Sequence, residues 1–508
     1  MHVLLINPPQ TFPKKFYSVK DMRISIPLGL LSVAASAEAA GFKVSILDAF
    51  TVNNHFELHE NKNTIRLGCS FETLGEEIQN RAPDVVGITS PFSAQVENAL
   101  KVAQIAKEID KKILVVGGGP HASVRVEDYF KNSCFDVAVM AEGELAFVDL
   151  LKHFETANGD FGFLNKIPNL AFQEAGRVKK NRVDFIPKLD PLPFPAYHMV
   201  NLEKYFELFK EGFSSRTYPS SERVVPVITS RGCPYKCVFC SIHSHMGRKW
   251  RFHSAEYVLR HLKLLVEKYN VKHFSFEDDN ISVDIHRFEK IVDGILSHRK
   301  RSVRWKISWD TPNGVRADTL TEEVLKKSKQ SGLHFLVIAI ESGDQEVLDT
   351  IINKKMDLKC TEDVAKWCKK LGINLGAFFI IGFPGETKEN IQTTLDMAFF
   401  LNKKYDVIPS IALATPLLDT KLYDIAKKNN FLTEELTGES LLTATMVKGK
   451  GLIRTKEFTP EELSEWSNRF YKKLMLHQIL KPAYVLKRFI QSPKTLTRMV
   501  KQAMTVSK

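Results

Sequence analysis

Short runs of β-branched residues alternate with helix-length segments twice along this 508-residue chain, in two different rhythms. Strands separated by helix-length crossovers imply βαβ units and parallel sheets. In the first rhythm the expected strands are His2 to Ile6, Lys43 to Leu47, Asp84 to Thr89, Lys112 to Val116 and Asp136 to Met140. Leu28 to Ala40 and Ser93 to Asp110 carry helical patterns between them. The reading is an α/β protein whose residues 1–155 form a doubly wound, Rossmann-like domain. Ligands of such sheets bind beyond the carboxyl ends of the strands. Here those ends carry Asn7-Pro8-Pro9, Thr89-Ser90-Pro91, Gly117-Gly118-Gly119-Pro120-His121 and Glu142-Gly143-Glu144.

Across 156–222 the pattern weakens, and Asp190-Pro-Leu-Pro-Phe-Pro195 removes backbone donors, so this stretch reads as a linker. The second rhythm starts at Arg223, with strands expected near 224–229, 272–276, 304–308, 334–340, 375–381 and 407–413. Helical segments Ala255 to Tyr269, Ile285 to Ser297, Glu322 to Ser331 and Val364 to Leu371 separate them. Six such units over 223–430 fit a partial (β/α)6 TIM-type barrel, which carries its chemistry at the carboxyl ends of the strands. Residues 431–508 read as a helical C-terminal region. Within it, Thr459-Pro460-Glu461-Glu462 has the residues of a capped helix start.

Immediately after the first barrel strand lies Thr229-Ser-Arg-Gly-Cys233-Pro-Tyr-Lys-Cys237-Val-Phe-Cys240. Three thiolates at this spacing can grip one face of a 4Fe-4S cluster and leave one iron without a protein ligand, whereas four cysteines would occupy every iron. A zinc site is the alternative, because Cys240-Ser-Ile-His243 offers a fourth ligand. Zinc motifs of that kind usually organise small loop-rich modules, and this one follows a strand in a long β/α series. Cys69, Cys134, Cys360 and Cys368 are read as ordinary thiols, and no second cluster is expected.

With this context the loop resembles the CxxxCxxC motif of the radical S-adenosylmethionine (SAM) superfamily, in which Phe239 occupies the usual aromatic position. The resemblance implies a 4Fe-4S cluster on Cys233, Cys237 and Cys240, with SAM on the open iron. By the same resemblance Glu277 and Asp278, in Phe276-Glu-Asp-Asp-Asn280, receive the SAM amino group. Arg316 in Asn313-Gly-Val-Arg316 would contact the carboxylate or ribose, and Glu341 with Ser342 the ribose hydroxyls. The glycines of Gly376 to Glu386, Gly382 among them, would support the adenine.

The N-terminal domain is similar to that of the cobalamin-binding branch, which includes methyltransferases and the anaerobic cyclase of chlorophyll synthesis. The matching residues are Asn7-Pro8-Pro9, Pro27-Leu-Gly-Leu30, Gly118 to Ser123 and Gly143-Glu144. This implies a cobalamin site at Pro8, Pro9, Thr89, Ser90, Gly118, Gly119, Pro120, His121, Glu142 and Gly143. The Asp-x-His-x-x-Gly motif of histidine-ligated cobalamin enzymes is missing, so His121 is not assigned to cobalt. After the sixth strand Thr415-Pro416-Leu-Leu-Asp-Thr420 replaces the family's usual Pro-Gly-Thr, a departure on the substrate side.

The net charge of +12 is concentrated in residues 471–508, which hold nine Lys and Arg and no acid. Leu474, Leu480, Tyr484, Leu486, Phe489, Ile490, Leu496 and Met499 alternate with that charge, as in a basic amphipathic helix on a membrane surface. A helix packed on the barrel is the alternative, and no nucleic-acid partner is expected. No signal peptide or membrane-spanning stretch is found, so the chain is expected in the cytoplasm, with peripheral association at the inner membrane face as a further expectation.

The activity implied is reductive cleavage of SAM to a 5′-deoxyadenosyl radical, using electrons from a donor such as flavodoxin or ferredoxin. Hydrogen abstraction from an unactivated carbon would follow, then cobalamin-dependent methyl transfer to a small-molecule or lipid substrate. A radical cyclase or rearrangement enzyme is the alternative, and a non-catalytic zinc-binding protein the rival from another class.

Overall fold

The computed structural model describes residues 1–14, 22–52, 57–60, 62–157, 160–214, 219–444 and 449–479. Five parallel strands, His2–Asn7, Lys43–Asp48, Val85–Thr89, Leu114–Gly118 and Val137–Val139, build the N-terminal sheet. In space they run fifth, fourth, third, first, second. This is the doubly wound order whose switch point lies between the first and third strands. Both faces are covered, so the strands are apolar almost throughout. Leu4, Ile6, Val86, Ile88 and Val115 pack under the helices Phe71–Arg81 and Val96–Ile109. Val3, Leu5 and Val116 join a core on the other side with Leu28–Ala39 and Gly143–Thr156.

The stretch read as a linker contributes to this sheet. Leu170–Glu174 and Arg177–Lys180 form an antiparallel hairpin that extends the sheet beyond Val137–Val139. Gln10–Pro13, Thr64–Leu67 and Leu58–Glu60 make a further small antiparallel sheet. Of these, Leu58–Glu60 and Arg177–Lys180 expose most of their side chains and carry little apolar alternation to read.

The second sheet holds six parallel strands in chain order, Val224–Val227, His273–Phe276, Ser308–Val315, Leu333–Glu341, Asn374–Ile381 and Ile408–Leu413. Helices Ala255–Tyr269, Ile285–Arg301, Glu322–Ser331, Lys359–Leu371 and Lys388–Tyr405 cross between them. The first and last strands do not pair, which makes the barrel partial. The third strand lies later than its expected position near 304–308. Val303–Trp305 instead forms a 3-10 turn, with Ser302 Oγ accepting from Arg304 N. That strand runs through Asn313-Gly314, and Gly314 adopts φ +87° at an irregular register.

One continuous apolar core joins the two domains through Tyr197, Tyr205 and Phe206 of the 156–222 stretch. Tyr205 Oη donates to the buried Asp48 Oδ2 at 2.7 Å, and Asn7 Nδ2 donates to Asp48 Oδ1 at 2.9 Å. Helix Pro460–Ile479 begins at the expected capping box, with Thr459 N donating to Glu462 Oε2 and Glu462 N to Thr459 Oγ1. Leu463, Phe470 and Leu474 of this helix are buried, and Tyr471 Oη accepts from Ile411 N of the last barrel strand. Leu474 therefore belongs to the core and not to a membrane-facing stripe. The rest of the basic tail, from 480 onward, lies outside the described residues. No helix among the described residues is long and apolar enough to cross a membrane.

Replacing Tyr205 with Phe removes one donor from a buried carboxyl and is expected to cost about 1–3 kcal/mol. Urea denaturation should show a lower unfolding midpoint for Tyr205→Phe, and an unchanged midpoint would contradict the assigned role of that hydrogen bond.

Candidate active site between the two domains

The cysteine loop is held from several sides of the barrel rim. Asp278, at the end of the second strand, accepts from Thr229 Oγ1 at 2.7 Å and from Ser230 Oγ at 2.5 Å. Asp279 accepts from Gly232 N at 2.9 Å. Cys233 N donates to Gly247 O, and Val238 N to Ile352 O. Leu422 N donates to Val238 O, and Asn353 Nδ2 to Lys236 O. The Arg316 guanidinium lies 3.8 Å from the centre of the Tyr235 ring. Phe239 packs on Phe383, ring centres 5.8 Å apart. A loop with this many fixed backbone groups presents its thiols without a large ordering cost on ligand binding.

Cys233, Cys237 and Cys240 are partly exposed and unbridged. Burial raises the pKa of all three, Cys240 to about 12. The nearby cations Arg316 and Lys354 oppose that rise at Cys233 and Cys237. Three thiols beside two cations suit an iron-sulfur cluster, whose binding removes the thiol protons. No three or more His, Cys, Asp or Glu side chains among the described residues are arranged to hold a single metal ion.

Several residues expected to touch SAM are occupied elsewhere. Asp278, 4% exposed, spends its oxygens on the loop and is not presented to an ammonium. Arg316 makes a bidentate pair with Asp318 at 3.0 and 2.6 Å and also donates to Lys354 O and Lys355 O. With its guanidinium also against Tyr235, it is tied to the loop from several directions. Ser342 Oγ bonds Thr394 Oγ1 at 3.0 Å and accepts from Asp344 N, which closes a turn. Gly382 adopts φ +92°, and a Cβ there would lie 2.5 Å from Leu463. It is required for the turn whatever it holds. Glu341, at φ +73°, pairs with Lys354 Nζ at 3.0 Å, and both side chains are buried. Lys354 drew no attention in the sequence because it lies in a loop with no motif of its own.

A half-open cavity of about 400 Å³ lies between the domains, on the switch point of the N-terminal sheet. Asn7, Thr89, Gly118, Gly119, Pro120, Glu142 and Gly143 line it from that side. Arg231, His245, Met246, His253, Tyr257, His261 and Glu277 line it from the barrel. The barrel histidines were missed because only the tertiary fold brings them to the N-terminal domain. Burial lowers the pKa of His245 and His253 to about 4 and that of His261 to about 3, so all three imidazoles are neutral at pH 7.

Four residues expected in this cavity are not part of its wall. Pro8 and Pro9 are buried within the loop after the first strand, where Pro9 packs against Gly68. Ser90 is fully buried, its N–H on Gly118 O and its hydroxyl on Phe92 O. His121 has Nδ1 2.9 Å from Ser93 Oγ and Nε2 3.1 Å from Asp128 Oδ2. At Gly29 and Gly118, by contrast, an added Cβ would meet no protein atom within 4 Å. These backbones border free space that a flat ligand can approach closely, and the residues present fit cobalamin on this count.

A buried ion-pair network ties the cavity wall to the cysteine loop. Arg231, two residues before Cys233, donates to Glu142 Oε1 at 3.0 Å and to Glu144 Oε1 at 2.5 Å. Arg251, its cross-strand partner, donates to Glu142 Oε2 at 2.6 Å, to Ile186 O and to Met246 O. Burial alone would raise the Glu144 pKa, but Arg231 outweighs it and holds the carboxyl below its usual range. Two acids and two guanidiniums neutralise one another where an unpaired charge would be costly.

A three-cysteine loop at the carboxyl end of a partial barrel, facing a doubly wound domain across a shared cavity, defines a two-domain cofactor enzyme. Residues 227–398 match the model of the radical SAM superfamily, and residues 22–151 match that of the B12 binding domain. An uncharacterised methyltransferase of Pyrococcus horikoshii is 32% identical over 421 residues, covering 82% of this chain and 83% of that one. The cytidylyl-2-hydroxyethylphosphonate methyltransferase of Streptomyces wedmorensis is 29% identical over 483 residues, covering 88% of this chain and 85% of that one. The structure of the cobalamin-dependent SAM radical enzyme OxsB with aqua-cobalamin bound aligns with a TM-score of 0.71 at 18% identity, over 99% of this chain and 71% of that one. The chain belongs to the radical SAM superfamily, in the branch with a B12 binding domain. Its cofactors are a 4Fe-4S cluster, SAM and cobalamin.

One buried acid gives a pH test of the barrel rim. Glu386 is fully buried and accepts from Gly382 N and Phe383 N, yet burial pushes its pKa up to about 7. The unfolded glutamate titrates near 4.5. The folded state therefore favours the protonated acid. Its contribution to stability is complete below about pH 4.5 and is lost as the pH rises through 7. Glu386→Gln should match the wild type in unfolding midpoint at pH 4 and exceed it at pH 8, by up to about 3 kcal/mol. A constant difference at both pH values would contradict this assignment.

Proposed function

We propose that this chain is a cobalamin-dependent radical SAM methyltransferase that methylates an unactivated carbon of a small-molecule or lipid substrate. The observation that carries the reading is the shared wall. Arg231, which precedes the cluster loop, also lines the cavity of the B12-type domain and is bonded to its Glu142 and Glu144. Both named relatives are methyltransferases, which supports methyl transfer over cyclisation.

Cys233, Cys237 and Cys240 would hold the cluster. Glu277, which lines the cavity, and Glu341, beside the loop, are the carboxylates best placed to receive the polar groups of SAM. Phe239, on Phe383, gives the loop an apolar flank. Gly118 and Gly119 would let the cofactor approach the N-terminal backbone. Neutral His245, His253 and His261, with Met246 and Tyr257, would close the opposite side without bringing charge to it. When bound, the cluster and SAM supply one-electron cleavage and hydrogen abstraction, and cobalamin supplies the methyl group. The protein orients these parts and excludes water.

Reduction calls for an electron donor of the flavodoxin or ferredoxin class. Within a cytoplasmic location, peripheral association at the inner membrane face rests on the basic composition of residues 481–508 alone.

Anaerobically reconstituted protein should release 5′-deoxyadenosine from SAM, and Cys237→Ala should release none. With cobalamin bound and substrate supplied, the product should gain one carbon. A product of unchanged carbon count would favour cyclisation or rearrangement, and cleavage by the Cys237→Ala variant would contradict the cluster assignment.

A further inference from the structure

At the opposite end of the barrel from the cysteine loop, the first residues of three neighbouring strands surround a second cavity, of about 520 Å³. Lys272, Arg299, Lys306 and Lys329 all line it, and no carboxylate does. None of these four cations forms an ion pair among the described residues. Arg299 Nη1 donates to Ile307 O and Lys329 Nζ to Gly372 O, which orients both cations while leaving each further N–H donors. Four like charges gathered without a counter-charge repel one another, and a multivalent anion relieves that repulsion.

The floor of the cavity is built as well as charged. His273 is fully buried, with Nδ1 2.7 Å from Ser308 Oγ and 3.2 Å from Ser220 Oγ. Behind it, Asp310 Oδ2 lies 3.1 Å from His273 Nε2, and Ser275 Oγ donates to Asp310 Oδ1 at 2.6 Å. Ser220 Oγ also contacts Ser308 Oγ, so the two serines at the cavity wall are held to the imidazole and to each other. Four cations around one cavity match the several oxygens and multiple charge of a phosphate group better than a single carboxylate.

We propose that this cavity is a binding site for a phosphate-bearing anion, separate from the radical site. Lys272 and Lys306 supply the free charge, and Arg299 and Lys329 add their remaining N–H donors to its oxygens. The site is reached without passing the cysteine loop or the interdomain cavity, and its ligand is not the substrate of the radical reaction.

The test titrates inorganic pyrophosphate into the full chain by calorimetry, beside Lys272→Ala/Lys306→Ala and the charge-keeping Lys272→Arg/Lys306→Arg. One saturable site is expected, weakened roughly tenfold or more in the alanine variant and retained in the arginine variant, because charge-assisted contacts dominate such sites. Co-sedimentation with phosphatidylglycerol or phosphatidylcholine vesicles identifies the source of the phosphate. Binding to phosphatidylglycerol that depends on these lysines marks a lipid headgroup, whereas binding of pyrophosphate alone marks a soluble phosphate compound. Failure of both probes to bind, or equal binding by the wild type and the alanine variant, overturns the proposal.

Discussion

The Arg231 and Arg251 pairs with Glu142 and Glu144 are the interaction on which the rest of the site depends. Buried charges cost several kcal/mol each to dehydrate, and only a complete network offsets that cost. Such a network tolerates little displacement. It therefore fixes the B12-type domain relative to the loop that carries Cys233, Cys237 and Cys240. A radical enzyme whose cofactors are shared between two domains needs this fixity, because misplacing reacting groups by even about 1 Å can cost a hundredfold in rate.

The cysteine loop obtains its own rigidity from residues that were expected to bind SAM. Asp278 and Arg316 sit where the family pattern puts them, but their polar atoms are used on the loop and its surroundings. A motif residue near a cofactor can serve by holding a ligand-bearing segment as well as by touching the cofactor. Asp278 lies beneath Thr229 and Ser230, and Arg316 lies against Tyr235, so both act through the loop. Glu277 lines the cavity, and Glu341, paired with Lys354, lies beside the loop.

Much of this was legible in the chain because the strong signals are local. The apolar strands of both sheets are covered on two faces, and their β-branched runs announce them. The spacing of Cys233, Cys237 and Cys240 carries its chemistry within eight residues, and the capping box at Thr459 is equally local. What was missed is long-range or weakly patterned. The hairpin at 170–180 joins three buried apolar residues, Leu170 to Phe172, to the largely exposed and charged Arg177–Lys180, and gains its place only by pairing with Val137–Val139. Lys354 matters because the fold brings it to Glu341, and His245 because the barrel turns it toward the other domain. His121, inside a family motif, has its ring nitrogens against Ser93 and Asp128, partners that no local pattern announces.

The account stands on the metal held by the cysteine loop. Elemental analysis of protein purified and reconstituted without oxygen, together with electron paramagnetic resonance of the reduced sample before and after SAM addition, tests this most directly. The account predicts about four irons with matching sulfide per chain, and a cluster signal that changes when SAM is added. One zinc per chain with no iron, or a cluster signal indifferent to SAM, would contradict it.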